Sequence, residues 1–192
     1  MGYDKNAPVT VRRATIDDAE AIATVQIRTW QAAYRGMMPQ EHLDSMDIAA
    51  RTENIRGLAK RYPQDLTLVS LGADGSITGF VNAGSYVGDD GPNRAEGHIR
   101  AIYVLPEHWG SGAGRALMTQ ALLGLAEKGL HPVRLWVLSA NERARRFYAL
   151  AGFAPDGTTG VYRVERGGDP PVDVDEVRYV FDGRAGGAAG VG

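Results

Sequence analysis

The amino-acid sequence predicts an α/β (α+β) fold in which about four helices flank a mixed β-sheet of about seven strands. Three observations predict it. Strand and helix patterns alternate in the middle of the chain, which requires crossover connections and partly parallel strand pairing. An Asp-Gly turn at Asp74 and Gly75 joins two β-rich segments as a hairpin. Two further strand patterns near the end of the chain flank a Gly-Gly-Asp-Pro-Pro turn.

Each predicted helix and strand is indicated by a local sequence pattern. Thr15 and Asp18 resemble the capping box that begins a helix, and that helix ends before Gly36. Expected strands lie at residues 9–13, 66–71, 77–83, 98–104, 133–138, 161–165 and 174–181. Further helices are expected at residues 48–60, 112–128 and 141–151, with a polar loop at 88–94. Residues 1–183 are therefore predicted to form a single domain, and the Gly/Ala-rich residues 184–192 a flexible tail.

The composition disfavours several classes of function. Lys and Arg total 21 residues against 23 Asp and Glu, so the whole protein has no field that would attract a nucleic acid. The chain has no cysteine, and its four histidines stand at no metal-ligand spacing, so no disulfide and no metal centre are expected. No apolar segment approaches the roughly 20 residues that span a bilayer, and no signal-peptide pattern begins the chain. A cytoplasmic protein without membrane partners is the expectation.

A glycine-rich turn separates the fourth predicted strand from the helix that follows. Gly110, Gly112 and Gly114 stand at alternate positions, where the absence of Cβ lets the backbone turn its N–H groups inward. A helix N-terminus directly after such a turn favours an anion, and a pyrophosphate fits it. A plain structural turn is the alternative, but three glycines each cost up to about 1 kcal/mol of backbone entropy.

Two familiar phosphate motifs do not match this turn. The dinucleotide fingerprint G-x-G-x-x-G fails because Leu117 follows Gly112-x-Gly114 where a third glycine is needed. The P-loop fails because no Lys-Ser or Lys-Thr follows the glycines. A dinucleotide-dependent oxidoreductase is thereby disfavoured on spacing.

The segment from Ile102 to Leu117, which includes Trp109-Gly110-x-Gly112-x-Gly114-Arg115, resembles the acetyl-CoA motif of the GNAT superfamily of N-acetyltransferases. That motif reads Q/R-x-x-G-x-G/A and follows a strand with a β-bulge. A second segment is also similar to the family: Val137-Leu138-x-x-Asn141, followed by Phe147-Tyr148 and Gly152-Phe153. The resemblance implies the GNAT fold, with a bulge in the cofactor-binding strand and a splayed neighbouring strand.

The resemblance also implies where the cofactor acetyl-CoA (coenzyme A) binds. Residues of the cofactor-binding strand would pair with the pantetheine arm like an added strand, mainly through the main chain of Ile102 and Val104. Trp109 stands where the family most often has Gln or Arg, which leaves main-chain contacts to hold the diphosphate. The residues implied to bind the cofactor are Ile102, Tyr103, Val104, Trp109, Gly110, Ser111, Gly112, Ala113, Gly114, Arg115, Asn141 and Tyr148.

Acetyl transfer needs a neutral amine, stabilisation of the thioester oxygen and a proton for the leaving thiolate. The resemblance implies that Tyr148 protonates the sulfur, although its place on a helical apolar stripe also suits a core tyrosine. Asn141 is a good N-cap for that helix and, by resemblance, a contact of the cofactor arm. The backbone N–H of Val104 is the expected donor to the oxyanion.

The general base has two candidates. His98 falls on the strand position where many GNAT enzymes carry a base, and an imidazole with an unperturbed pKa of about 6.5 accepts a proton at neutral pH. Glu96, two residues earlier, would share its face in a regular strand and could act through water or orient His98. The alternative is that both are ordinary strand residues on the surface.

The acceptor is predicted to be a primary amine of a small molecule or peptide. By resemblance its site lies between the first helices and the loop before the central strand, where Trp30 and Tyr34 share a helix face, and the alternative role of these two residues is core packing. Asp89 and Asp90 could attract a cationic amine or form a solvated loop. A homodimer is the family-level expectation, and a non-catalytic acyl-CoA-binding module is the rival interpretation of the whole chain.

Overall fold

The computed structural model describes residues 9–88, 91–166 and 169–183. Its seven strands are β1 (Thr10–Arg13), β2 (Leu66–Leu71), β3 (Ile77–Gly88), β4 (Gly91–Val104), β5 (Val133–Leu138), β6 (Ala154–Arg166) and β7 (Asp169–Phe181). Its α-helices are α1 (Ala19–Ala33), α2 (Gln40–Asp44), α3 (Ile48–Arg61), α4 (Ala113–Glu127) and α5 (Glu142–Leu150). Short 3-10 turns at Ile16–Asp18 and Pro106–His108 precede α1 and the glycine-rich turn.

All seven strands form one mixed sheet in the order β1-β2-β3-β4-β5-β7-β6. Neighbouring strands are antiparallel except for β4 and β5, which are parallel because α4 crosses between them. The predicted fold class is therefore confirmed. The α-helices number five rather than four, because the five-residue helix α2 has too short a pattern to be recognised in the sequence.

Helices cover both faces of the sheet. On one face α4 buries Leu117, Ala121 and Leu125 completely against the central strands, as their spacing of four residues requires. On the other face α1 and α3 pack over Val69 and Phe80. None of the helices in the described part of the chain is long and apolar enough to cross a membrane.

Several strands are longer than their hydrophobic patterns indicate. β3 and β4 continue through much of the predicted polar loop at 88–94, and β6 and β7 extend toward each other as a long hairpin. Backbone hydrogen bonds between strands need no apolar side chains, so the hydrophobic pattern does not reveal these strand ends. Asp89, Asp90 and the predicted tail at 184–192 lie outside the described residues.

Two irregularities in β4 shape the centre of the sheet. Asn82 pairs with Ala101 while Ala83 pairs with Ile99, so Arg100 is an extra residue that forms a β-bulge. Farther on, β4 and β5 pair only at Gly97 with Val133 and at His98 with Arg134. Beyond these two pairs the strands separate, which confirms the expected bulge and splayed neighbour.

Candidate active site

A cleft of about 1360 Å³ opens where β4 and β5 separate. It is lined by the ends of both strands, by the glycine-rich turn and by residues of α1, α3 and α5. Because the gap interrupts the sheet, side chains from both faces reach the same space. The site is therefore built around the gap between these two strands.

The glycine-rich turn has the backbone geometry that its sequence predicts. Gly110 and Gly112 have φ values of 81° and 91°, in the left-handed region that glycine adopts without steric cost. The first backbone hydrogen bond of α4 runs from the N–H of Ala116 to the carbonyl of Gly112. The preceding N–H groups of Gly114 and Arg115 therefore have no acceptor in the helix, and they stand at the positive end of its dipole. This arrangement suits an anion.

Trp109, the residue at which this chain departs from the family motif, bonds back to the strand before the turn. Its Nε1–H donates a 2.7 Å hydrogen bond to the carbonyl of Val104, at the end of β4. The guanidinium of Arg143 lies 3.5 Å from the centre of the Trp109 ring, a cation–π contact. Arg143 thus brings a second positive charge, besides Arg115, to the wall of the cleft near the turn.

The backbone of β4 presents alternate residues to the gap. Tyr103 lies opposite Phe80 on β3, and the N–H of Leu105 donates to Thr78 on the same side. Backbone groups alternate in direction along a strand, so Ile102 and Val104 face the gap. This agrees with the expected main-chain contacts of those two residues, whereas the main chain of Tyr103 faces β3 and is not free to bind a cofactor.

Tyr148 reaches the cleft from the face covered by α4. Its ring packs on Phe147, Phe153 and Tyr179, and only 9% of the residue is exposed. Burial raises the pKa of Tyr148, so the phenol stays protonated at neutral pH. Tyr148 is therefore a core tyrosine that also lines the cleft, and its role as the acid stays a prediction.

Asn141 lies in the same wall as Tyr148. Its Oδ1 accepts a 3.0 Å hydrogen bond from the N–H of Ala144, which makes it the N-cap of α5. The residue is buried and also lines the cleft. The capping role predicted for Asn141 is present, and its contact with a cofactor stays a prediction.

His98 lies at the apex of the gap, on the last residue pair that joins β4 to β5. Its ring contacts Tyr86 edge to face at 5.3 Å, and its buried Nδ1 has no hydrogen-bond partner among the described residues. Burial, with a smaller effect of nearby Arg100, lowers the pKa of His98 from 6.5 to about 4. The imidazole is therefore neutral at pH 7, and the residue lines the cleft.

Glu96 does not join His98. Both of its carboxylate oxygens accept hydrogen bonds from the guanidinium of Arg134, at 2.6 and 3.0 Å. This ion pair lowers the pKa of Glu96 and holds both of its oxygens against a cation. Glu96 is also absent from the residues that line the cleft, and an irregular β3–β4 register after Ser85 breaks the spacing on which the expectation relied.

Trp30 and Tyr34 wall the cleft from the α1 side. The Trp30 ring makes edge contacts with Tyr34 at 5.2 Å, Tyr103 at 6.2 Å and Tyr162 at 6.1 Å. Trp30 is buried and Tyr34 is partly exposed, so both pack in the core and line the cleft. Packing and wall formation are thus compatible.

Residues of the cleft that the sequence did not point to include Arg51, Arg143, Tyr162 and Glu176. Arg143 lies two residues after Asn141, which was a usable signal. The other three come from α3, β6 and β7, far apart in the chain, and only the folded sheet brings them together. Among the described residues, no cluster of His, Cys, Asp or Glu is positioned to hold a metal ion.

The depressed pKa of His98 predicts a pH-dependent stability. Because the folded-state pKa lies below the unfolded-state value, stability is complete above pH 6.5 and is lost as the pH falls through about 4. We expect wild type to lose roughly 3 kcal/mol more unfolding free energy than His98→Gln between pH 7 and pH 4. Chemical denaturation at several pH values measures this difference. The exposed His131 provides the control His131→Gln, and equal losses in wild type and His98→Gln would contradict the assignment.

Comparison with known proteins identifies the family of this chain. The acetyltransferase (GNAT) family model matches residues 24–153. An uncharacterised N-acetyltransferase of Mycobacterium tuberculosis is 33% identical over 141 residues, which cover 73% of this chain and 86% of that protein. A spermidine N(1)-acetyltransferase of Thermoplasma acidophilum is 26% identical, over 79% of this chain and 92% of that protein.

The fold also has solved counterparts. The PaiA N-acetyltransferase of Thermoplasma acidophilum, solved in complex with coenzyme A, aligns with a TM-score of 0.67 and 22% identity, over 88% of this chain and 98% of that one. The resemblance stated from the sequence and the cofactor it implied are thus confirmed. The chain belongs to the GNAT family of acetyltransferases, and its acyl donor is acetyl-CoA.

Proposed function

We propose that this protein transfers the acetyl group of acetyl-CoA directly to a primary amine of a small molecule or peptide, with Tyr148 as the acid and His98 as the base. The observation that carries the proposal is the gap between β4 and β5, which Tyr148 enters from one face of the sheet and which begins at His98. A catalytic acid and a catalytic base then have access to one space.

The residues around the gap fit the cofactor. The free N–H groups at the start of α4, with Arg115 and Arg143, supply donors and positive charge for a pyrophosphate. Ile102 and Val104 offer their backbone edge to the amides of a pantetheine arm, in the manner of an added strand. Acetyl-CoA supplies an activated thioester, whose C–S bond breaks as the amine nitrogen forms the new amide bond.

Val104 is suited to stabilise the thioester oxygen. Its carbonyl accepts hydrogen bonds from Trp109 Nε1 at 2.7 Å and from Thr29 Oγ1 at 3.1 Å, so this peptide is held in a fixed orientation. The N–H of Val104 faces the same gap and has a fixed direction before any ligand binds. A donor that needs no reorientation is the most effective kind for developing negative charge.

Two proton transfers complete the reaction. Tyr148, whose pKa is raised by burial, holds its proton until the thiolate leaves and then donates it to sulfur. His98, which is neutral at pH 7 and lines the cleft, accepts the proton that the amine loses. Glu96 is engaged by Arg134 and is not assigned a proton-transfer role. The rival, a binding module without turnover, leaves the placement of these two residues in one cleft unexplained.

Tyr148→Phe should remove the acid without removing the ring contacts that hold it. We expect kcat to fall by about 10²-fold or more while the Kd for acetyl-CoA changes little, because a general acid acts in the transition state. Thiol release with a panel of amines measures kcat, and calorimetry measures the Kd. Tyr179→Phe is the matched control, since Tyr179 contacts the Tyr148 ring but lies outside the cleft. Normal turnover by Tyr148→Phe would refute the acid assignment.

His98→Gln and Glu96→Gln separate the two candidate bases. We expect His98→Gln to lower kcat by about 10²-fold and Glu96→Gln to stay within a few-fold of wild type. The reason is that the imidazole of His98 lines the cleft, whereas Glu96 is bound to Arg134 and lies outside it. Thiol release at saturating amine, from pH 6 to pH 9, is the measurement. The opposite ranking of the two variants would transfer the role of base to Glu96.

A further inference from the structure

The charges that line the cleft are unequal. Its described lining residues include five arginines (Arg13, Arg51, Arg100, Arg115 and Arg143) but only two carboxylates (Asp65 and Glu176). Asp65 is neutralised by Arg100 at 2.6 Å, and its backbone carbonyl accepts from Arg13 at 3.3 Å. Arg115 and Arg143 stand beside the phosphate-binding turn. Arg13 is exposed, so Arg51 and Glu176 are the two partly buried charges that neither the fold nor the cofactor accounts for.

Arg51 is a partly buried cation without an anionic partner. Its Nε donates to the amide oxygen of Gln26 at 2.9 Å, and its Nη1 donates to the amide oxygen of Asn54 at 3.0 Å. No carboxylate of the described chain lies within ion-pair distance of it. Burial lowers the pKa of Arg51, so the folded protein holds this charge at a cost that no ion pair offsets. The neutral amides orient the guanidinium toward the cleft and leave its charge for a ligand.

Glu176 is the complementary case. It lies on β7 between Leu138 of β5 and Gly160 of β6, on the sheet face that Trp30 covers. The Glu176 carboxylate has no ion pair or hydrogen bond in the described structure, and burial raises its pKa. A Cβ at position 160 would lie 3.5 Å from its Oε1 and 3.1 Å from the Trp136 ring. Glycine at position 160 therefore keeps the space over this carboxylate open.

The two charges belong to the same compartment of the cleft. Arg51 and Glu176 line this cleft together with Tyr162. Glu176 raises the pKa of Tyr162 and Arg51 lowers it, although burial is the larger influence. Tyr162 packs against Trp30, so an aromatic wall stands beside both charges. A ligand on this wall meets a cation from α3 and an anion from β7.

We propose that the acceptor is a zwitterionic amine of the amino-acid type, whose acidic group is bound by Arg51 and whose ammonium group is bound by Glu176. This inference rests on the proposed N-acetyltransferase function and specifies its substrate class. A polyamine matches these two charges poorly, because it leaves Arg51 without a counter-ion and places cations in a cleft rich in arginine. A zwitterion satisfies both unpaired charges at once.

Binding to the coenzyme A complex tests the substrate class independently of catalysis. The probes are common α- and ω-amino acids, the carboxamide of each, and spermidine, each titrated by calorimetry into protein saturated with coenzyme A. We expect at least one amino acid to bind tenfold more tightly than its own carboxamide and more tightly than spermidine. Arg51→Gln should remove the preference for the free acid, and Glu176→Gln should weaken the amino acid and its carboxamide alike. Arg56→Gln, on the exposed side of α3, is the control and should match wild type.

The outcomes separate this inference from the proposed function. Equal or tighter binding of carboxamides or spermidine, no binding of any probe, or an Arg51→Gln variant with unchanged preference overturns the zwitterion assignment. Thiol release from acetyl-CoA with the same probes is scored separately. Thiol release with only spermidine or the carboxamides supports the N-acetyltransferase function and rejects the zwitterionic substrate class. Amino-acid binding that depends on Arg51 but produces no thiol release supports the zwitterionic ligand class and rejects catalysis.

Discussion

β4 and β5 are hydrogen-bonded for only two residue pairs, Gly97 with Val133 and His98 with Arg134, before the strands diverge. A buried sheet cannot leave backbone N–H and C=O groups unpaired without cost, so an open gap at its centre requires another hydrogen-bonding partner. The bulge at Arg100 helps to turn β4 away from β5. We propose that the cofactor is this partner, with its phosphates at the glycine-rich turn.

The same gap explains how residues from two faces of a sheet act on one reaction. Tyr148 belongs to the core under α4, whereas Trp30, Tyr34 and Tyr103 belong to the face under α1. The hydroxyls of Tyr34 and Tyr103 nevertheless lie close enough to that of Tyr148 for an electrostatic effect. A continuous sheet would keep these groups apart. In the proposed mechanism the cofactor lies between the acid Tyr148 on one side and an acceptor compartment on the other, where Arg51 and Glu176 supply the specificity we propose.

Much of the cofactor site could be predicted from the sequence because main-chain binding depends on local spacing. Three glycines before a helix fix the conformation of the turn, and the alternation along β4 fixes which residues face the gap. The acceptor side could not be predicted in this way. Arg51, Tyr162 and Glu176 lie on three separate elements, and their lack of partners is visible only in the fold. The surroundings of Glu96 were hidden for a related reason: the β3–β4 register shifts between Ser85 and Tyr86, and Arg134, its ion-pair partner, is 38 residues away.

Hydrogen exchange of the Val104 amide, measured by NMR with and without acetyl-CoA, tests the central role of the gap most directly. In the free protein this N–H faces the gap, whereas the N–H of Leu105 donates to Thr78 and serves as the internal reference. We expect saturating acetyl-CoA to slow exchange at Val104 at least tenfold relative to Leu105. Tight binding of acetyl-CoA with no added protection at Val104 would contradict it, because the cofactor would then lie outside the gap.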